Sequence, residues 1–267
     1  MNYKKIAFKD SYLLRRELLK NNKDFNLQEG GFKKTYEIDF KGELYKFEQS
    51  DVDKNNFLLL SPQIKETCVL VSIIKKKKVA QIENINGDFS NCISFSSEKI
   101  GTFLLTLTLE FLKKYKDEFG IDWIILSDHS IKKCGNKFFK LMKLSFLTDG
   151  DSWYGKYKFF PINDFGSEIK YSKNGLKNYY YNKEIMKIIK IKDIKLKDYF
   201  IKVNKKYPEF DINMKVDENM LVKDFVKNFL IDYKLNCKYF YIFYQDLFDD
   251  IKLNVIDDLF GLSLKIK

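Results

Sequence analysis

The stretch from 97 to 127 constrains this chain more than any other. Ile100, Phe103, Leu104, Leu107, Phe111, Leu112 and Tyr115 recur at i, i+3, i+4 and i+7, the spacing of a helix with one apolar face. Leu105 and Leu109 widen that face, so a helix over 97–116 has to be covered on most of its sides. Ser96 or Ser97 offers an N-cap, and Glu98 suits the positive end of the helix dipole. Gly120 closes the helical unit. Residues 121–127 are then nearly all apolar, as a strand with both faces covered should be. A helix that runs through so short a link into a buried strand is half of a β-α-β crossover, which is normally right-handed.

The flanking segments extend the α/β reading. Asp10 or Ser11 caps a helix over about 11–21, with Leu14 and Leu18 one turn apart. The alternating runs 35–40 and 44–47 meet at Gly42 and predict a β-hairpin. Residues 57–60 form a short apolar run. Residues 68–74 are rich in β-branched side chains, Lys75 to Lys78 make a solvated tip, and 79–85 return as the partner strand. Phe138, Leu141, Met142 and Phe146 mark a second helix, ending near Gly150. From Asp164 the character changes. Residues 165–206 hold 12 Lys against 4 acids, whereas 207–267 hold 8 Lys against 11 acids, so a boundary is placed near 165. Beyond it an amphipathic helix is predicted over 218–233. The aromatic run 239–244 is too short to assign by period. Residues 261–266 alternate and predict an edge strand.

Composition narrows the function classes. At 267 residues the chain can bury a large core. The net charge of +11 invites a nucleic-acid partner, yet Arg15 and Arg16 are the only arginines. Arginine is the side chain that grips phosphates and guanine edges bidentately. The Tyr179-Tyr180-Tyr181 run inside the basic stretch keeps a single-strand reading open. One histidine, His129, and four cysteines without a C-x-x-C pair exclude zinc sites of the usual spacing. Cys68 and Cys92 read as small core residues in a reduced, intracellular chain. No apolar run is long enough for a membrane span, and residues 1–7 lack the apolar core of a signal peptide.

Two motifs carry a resemblance. Ser96-Ser97-Glu98-Lys99-Ile100-Gly101-Thr102 lies at the start of the long helix, and Tyr154-Gly155-Lys156-Tyr157-Lys158-Phe159 follows the second one. Their order resembles the acyl-CoA-binding half of the GCN5-related N-acetyltransferase (GNAT) superfamily. With Asp128, Ser130, Gly150 and Trp153-Tyr154 it looks most like the divergent acetyltransferase-like proteins of large DNA viruses. Gly101 fits the last glycine of that family's phosphate cradle, while Lys99 stands at its first glycine and Ser96 at its Gln or Arg. Tyr154 fits the tyrosine of the second motif, and Lys158 takes the place of its glycine. The resemblance covers about 67–161.

What it implies is a GNAT-like, mixed, mostly antiparallel sheet flanked by helices, in a domain over 1–165. A mainly helical C-terminal extension, basic and then acidic, occupies 166–267. The strands at 79–85 and 121–127 should be parallel neighbours that part to admit a thioester arm. Acetyl-CoA would be held by Ser97, Lys99, Ile100, Gly101 and Thr102, with the backbone of Ile82 and Ile85 at the acyl carbonyl and no metal. Tyr154 would reprotonate the leaving thiolate, and Asp128 or Glu83 would take the proton of the attacking amine. Asp128 has a second reading, as the cap of a turn through Ser130, and Glu83 one as a solvent-facing strand residue. The acceptor would be a small amine or an acidic protein, with nucleic acid as a further candidate, in the host cytoplasm or a virion. The rival is a catalytically inactive module of the same fold, and the altered phosphate motif speaks for it.

Overall fold

The computed structural model describes residues 34–50, 53–60, 67–85, 100–128, 130–162, 169–253 and 261–266. Residues from Thr35 onward form one compact unit. The predicted helix at 11–21, and also Cys92, Ser97, Lys99 and His129, lie outside the described residues.

The chain opens as an antiparallel meander. β1 (Thr35–Phe40) and β2 (Glu43–Gln49) turn at Lys41 and Gly42, both at positive φ. Two such residues in sequence are what a tight hairpin of this twist requires. β3 (Asn56–Leu60), β4 (Thr67–Ile74) and β5 (Val79–Ile85) continue the meander, with a 3₁₀ turn at Lys75–Lys77 as the lysine-rich tip. Tyr36, Ile38, Phe47 and Phe57 are buried, whereas Glu37, Asp39 and Lys46 are exposed. The meander therefore faces the core on one side and water on the other.

α1 (Ile100–Lys114) crosses from β5 to β6 (Trp123–Ser127) and buries Phe103, Leu104, Leu105, Leu107, Leu109, Phe111 and Leu112. Leu105 and Leu109 are covered as the widened apolar face requires. A short α2 (Lys116–Phe119) ends at Gly120 in the left-handed conformation. The Tyr115 hydroxyl donates to the Glu37 carbonyl at 2.7 Å, and Tyr36 donates to Glu118 at 2.9 Å, fastening this end of the helix to β1. β5 and β6 pair in parallel, and the other strand pairs of the main sheet are antiparallel. The sheet has eight strands in the order β1-β2-β3-β4-β5-β6-β10-β9, where β9 is Phe160–Pro161 and β10 is Gly261–Lys265. The architecture is α/β, with a large, mostly antiparallel sheet and seven helices among the described residues.

Three expectations are corrected. The segment predicted as the start of the second helix is a separate hairpin, β7 (Ile131–Cys134) and β8 (Lys137–Lys140), and α3 begins only at Leu141 (Leu141–Asp149). Gly135 at positive φ in a two-residue loop turns the chain, so Phe138 is a strand residue. Residues 261–266 do not form an edge strand: β10 (Gly261–Lys265) lies between β6 and β9 (Phe160–Pro161). The segment from 169 to 253 lies in sequence between β9 and β10, which are neighbours in the sheet. It contains α4 (Lys173–Ile188), α5 (Leu196–Lys206), α6 (Val222–Phe229) and α7 (Tyr233–Asp250), whose buried side chains join the same core as the sheet.

The third correction concerns the cysteines. Cys134 of β7 is disulfide-bonded to Cys237 of α7, with Cα atoms 5.9 Å apart, and Cys68 is disulfide-bonded too. The reading of reduced, merely packed cysteines fails because pairing depends on which strand meets which helix, and spacing does not carry that information.

Candidate functional site

Of the residues singled out in the sequence, Ile82, Glu83, Ile85 and Asp128 lie at the carboxyl ends of β5 and β6. Four residue pairs join the two strands, from Val79↔Trp123 to Ile82↔Leu126. β5 runs on through Glu83, Asn84 and Ile85 without a β6 partner. Against β4, Leu70 faces Asn84 and Val71 faces Ile82, so Glu83 is the extra residue of a β-bulge. Bulges bend a strand and re-aim its backbone groups, and they gather next to sites. The parallel ladder thus ends where Glu83 bulges out. Ile82 is buried, Ile85 is half-buried against the core, and Glu83 is half-exposed.

The described part of α1 begins at Ile100. Ile100, Gly101 and Thr102 are partly exposed in its first described turn, and a Cβ added to Gly101 would meet no atom of the described residues within 4 Å. Among the described residues nothing packs on the Gly101 side of this turn. Amides of a helix's first turn have no partner within the helix and favour negative charge.

Asp128 follows β6 directly and is buried, at 8% exposure. Its Oδ1 accepts from the Ser130 backbone N–H at 3.0 Å and from the Ser130 hydroxyl. The turn-capping reading of Asp128 is thus correct in its geometry, and it does not exclude a role in the site. Tyr154, also 8% exposed, stands on a 3₁₀ turn over Tyr154–Tyr157. Its ring packs edge-on against Trp153 and Phe159, with centroids 4.6 and 6.0 Å away. Burial first, and then the charge of Asp128, hold the Tyr154 hydroxyl well above the usual tyrosine range. The two residues paired on sequence grounds are therefore electrostatic neighbours, and Tyr154 stays protonated at any working pH.

Sequence reasoning missed what fixes the Tyr154 turn. Asp151 Oδ1 accepts from the Tyr179 hydroxyl at 2.5 Å, and Asp151 Oδ2 pairs with Lys183 Nζ at 2.7 Å. Ser152 Oγ accepts from the Gly155 N–H at 2.9 Å. A Cβ at Gly155 would come within 2.4 Å of the Tyr179 hydroxyl, so glycine here permits the close approach of α4. Lys158 ends the turn in the left-handed conformation, at φ 65 and ψ 27. The only signal for this clasp was the Gly150-Asp151-Ser152 run, which reads as a loop.

Among the described residues no group of three or more His, Cys, Asp or Glu could hold a metal ion, and no helix is long and apolar enough to cross a membrane. Comparisons with protein-family models, with curated proteins and with solved structures found no match for this chain.

Proposed function

We propose that this protein is an acetyl-CoA-dependent N-acyltransferase with a GNAT-like fold. The observation that carries the reading is the parallel pair β5/β6, which loses its pairing after Ile82↔Leu126 as Glu83 bulges out, with Tyr154 buried in the field of Asp128. Such an end to parallel pairing is what the resemblance implies for a thioester arm. Lys158 adds support, because a left-handed residue occupies the place where the resembled motif carries glycine.

The residues fit an acyl-CoA in part. The first described turn of α1 at Ile100, Gly101 and Thr102 suits a pyrophosphate, with Ser97 and Lys99 just before it in sequence. Lysine at 99 would serve as a point charge where the family uses backbone. When bound, acetyl-CoA supplies an activated thioester. Backbone N–H groups over 82–85 would polarise its carbonyl. Asp128 accepts the proton that the amine loses on attack, and Glu83, half-exposed on the bulge, is the second candidate for that step. Tyr154 would keep its hydroxyl proton available as a hydrogen-bond donor to a leaving thiolate. Full proton transfer from a hydroxyl held so high would leave a phenolate beside Asp128, so hydrogen-bond donation is its principal part.

Tyr154→Phe is expected to lower turnover by about 10²-fold or more while acetyl-CoA affinity stays nearly intact. Unchanged turnover would remove Tyr154 from the mechanism. The second reading is an inactive module of the same fold, and Lys99 in place of a cradle glycine favours it. Calorimetry decides between them, since an inactive module that has lost the cofactor gives no heat at millimolar acetyl-CoA.

A further inference from the structure

The β7–β8 hairpin has two unlike faces. Its inner face is anchored to α7. Cys134 is bonded to Cys237, and Phe139, fully buried, lies among the rings of Tyr233, Phe240, Tyr241 and Tyr244. Lys132 and Lys137 lie over the rings of Tyr233 and Tyr241, at 3.8 and 5.8 Å. Strand alternation sends Ile131, Lys133, Phe138 and Lys140 to the other face. Ile131 is 58% and Phe138 51% exposed, and both lysines are exposed. Register sets Lys133 opposite Phe138 and Lys140 opposite Ile131, so apolar and basic side chains alternate diagonally.

Three features make this face a built surface. Between Asp128 and Asp149 the chain carries five lysines and no acid. The hairpin is fixed at its tip by the disulfide and at its root by the Leu141 N–H, which donates to the Ser130 carbonyl at 2.9 Å. That root includes Ser130, whose N–H and hydroxyl both donate to Asp128, so the hairpin grows out of the candidate site.

We propose that the outer face of the β7–β8 hairpin binds an acidic, extended polypeptide segment, its carboxylates on Lys133 and Lys140 and an apolar side chain on Ile131 and Phe138. Taken with the function proposed above, on which this part rests, that segment is the one that presents the acceptor amine. A polypeptide fits better than a nucleic acid. The face has one exposed aromatic ring, too few to stack successive bases, and it has no arginine. A two-stranded sheet also leaves outer backbone edges to which an extended chain can add. Charge attraction to this face should weaken as salt rises.

The test is fluorescence anisotropy of a labelled peptide of alternating Glu and Leu with one central lysine, titrated with the full chain at low and high salt. The wild type should bind, more weakly at high salt. The double variant K133E/F138S should bind at least about tenfold more weakly. Both positions are solvent-exposed, so the variant should keep the wild-type melting temperature and acetyl-CoA affinity. No peptide binding, or equal affinity in the variant, would overturn the proposal. So would selective capture of oligothymidylate through the same residues. Peptide binding without any acetyl-CoA binding would keep this surface and discard the acyltransferase reading. Acetyl-CoA binding without peptide binding would do the reverse.

Discussion

Phe111 and Phe243 are both fully buried, one under the sheet and one among the C-terminal helices, and they are held in different ways. Phe111 stacks on Phe47 of β2 at 3.9 Å and packs beside Tyr36 and Phe57, three strand residues placed by register, as well as beside Tyr115 and Phe119 of its own helical unit. Phe243 stacks on Tyr199 at 5.3 Å and touches Phe229 and Phe240, side chains of other turns and helices. In the sheet region position follows from period-two alternation. In the helical region it follows from aromatic packing fastened by polar ties, with the Tyr199 hydroxyl on Asp250, Lys202 on Asp246 and the Cys134–Cys237 bridge. The comparison teaches that one core can be held in two ways, by strand register in one region and by aromatic packing in the other. The helices from 169 to 253 are enclosed between β9 and β10, which are neighbours in one sheet.

The largest expected effect tests that enclosure. Truncation after residue 165 removes β10 and bares β6, so the fragment should lose cooperative unfolding altogether, as read by circular dichroism. A fragment that melts sharply would show that the two regions are separable after all. Next come two substitutions. Cys237→Ser opens a loop whose ends are 103 residues apart, at a cost of up to about 5 kcal/mol in denaturant titration. Phe111→Ala should cost about 3–5 kcal/mol. Cys237→Ser and Phe111→Ala should add in the double variant, because the two sites share no partner. A reductant, by contrast, should cost the wild type at least as much as Cys237→Ser, since it also opens the bond at Cys68.

Much of the sheet region was legible in the sequence, because 35–49, 68–85 and 100–127 each show a period that matches one structure. The helical region and the hairpin were less so, for particular reasons. Phe138, Leu141 and Met142 fit helical spacing although only the last two are helical. The four-residue strands of the hairpin are too short for alternation to compete with that pattern. The predicted helix over 218–233 is broken at Leu230, because Asp232 caps a new helix by accepting from the Leu235 N–H at 3.2 Å. β10 reads the same in sequence whether it is an edge or an inner strand. Its place is seen only in Ser263, which is fully buried between β6 and β9. Of the candidate site, Asp128 and Tyr154 were recognisable by motif. The Asp151–Tyr179–Lys183 clasp was not, since its members are about thirty residues apart and belong to no pattern.

A pH titration probes both regions at once. Tyr154, Tyr179 and Tyr199 are held above the usual range, and Tyr233 and Tyr244 are pushed up to about 12, burial being the first cause in each case. Unfolded tyrosines ionise near 10. The stability these groups contribute is fully present below about pH 10 and is lost as pH rises above it, because the unfolded chain releases protons first. Absorbance of tyrosinate should therefore stay incomplete until the protein unfolds. Complete ionisation of the native protein near pH 10 would contradict the burial described. The smallest effect is at Lys158. Lys158→Gly relieves a left-handed non-glycine residue and should stabilise by about 0.5–1 kcal/mol in thermal melts.

The most direct test is amide hydrogen exchange with and without acetyl-CoA. The account predicts slowed exchange at Glu83, Asn84 and Ile85 and in the first turn of α1, with the far ends of β5 and β6 unchanged. Exchange at those amides that is indifferent to acetyl-CoA at saturating concentration, or protection only elsewhere in the molecule, would contradict it.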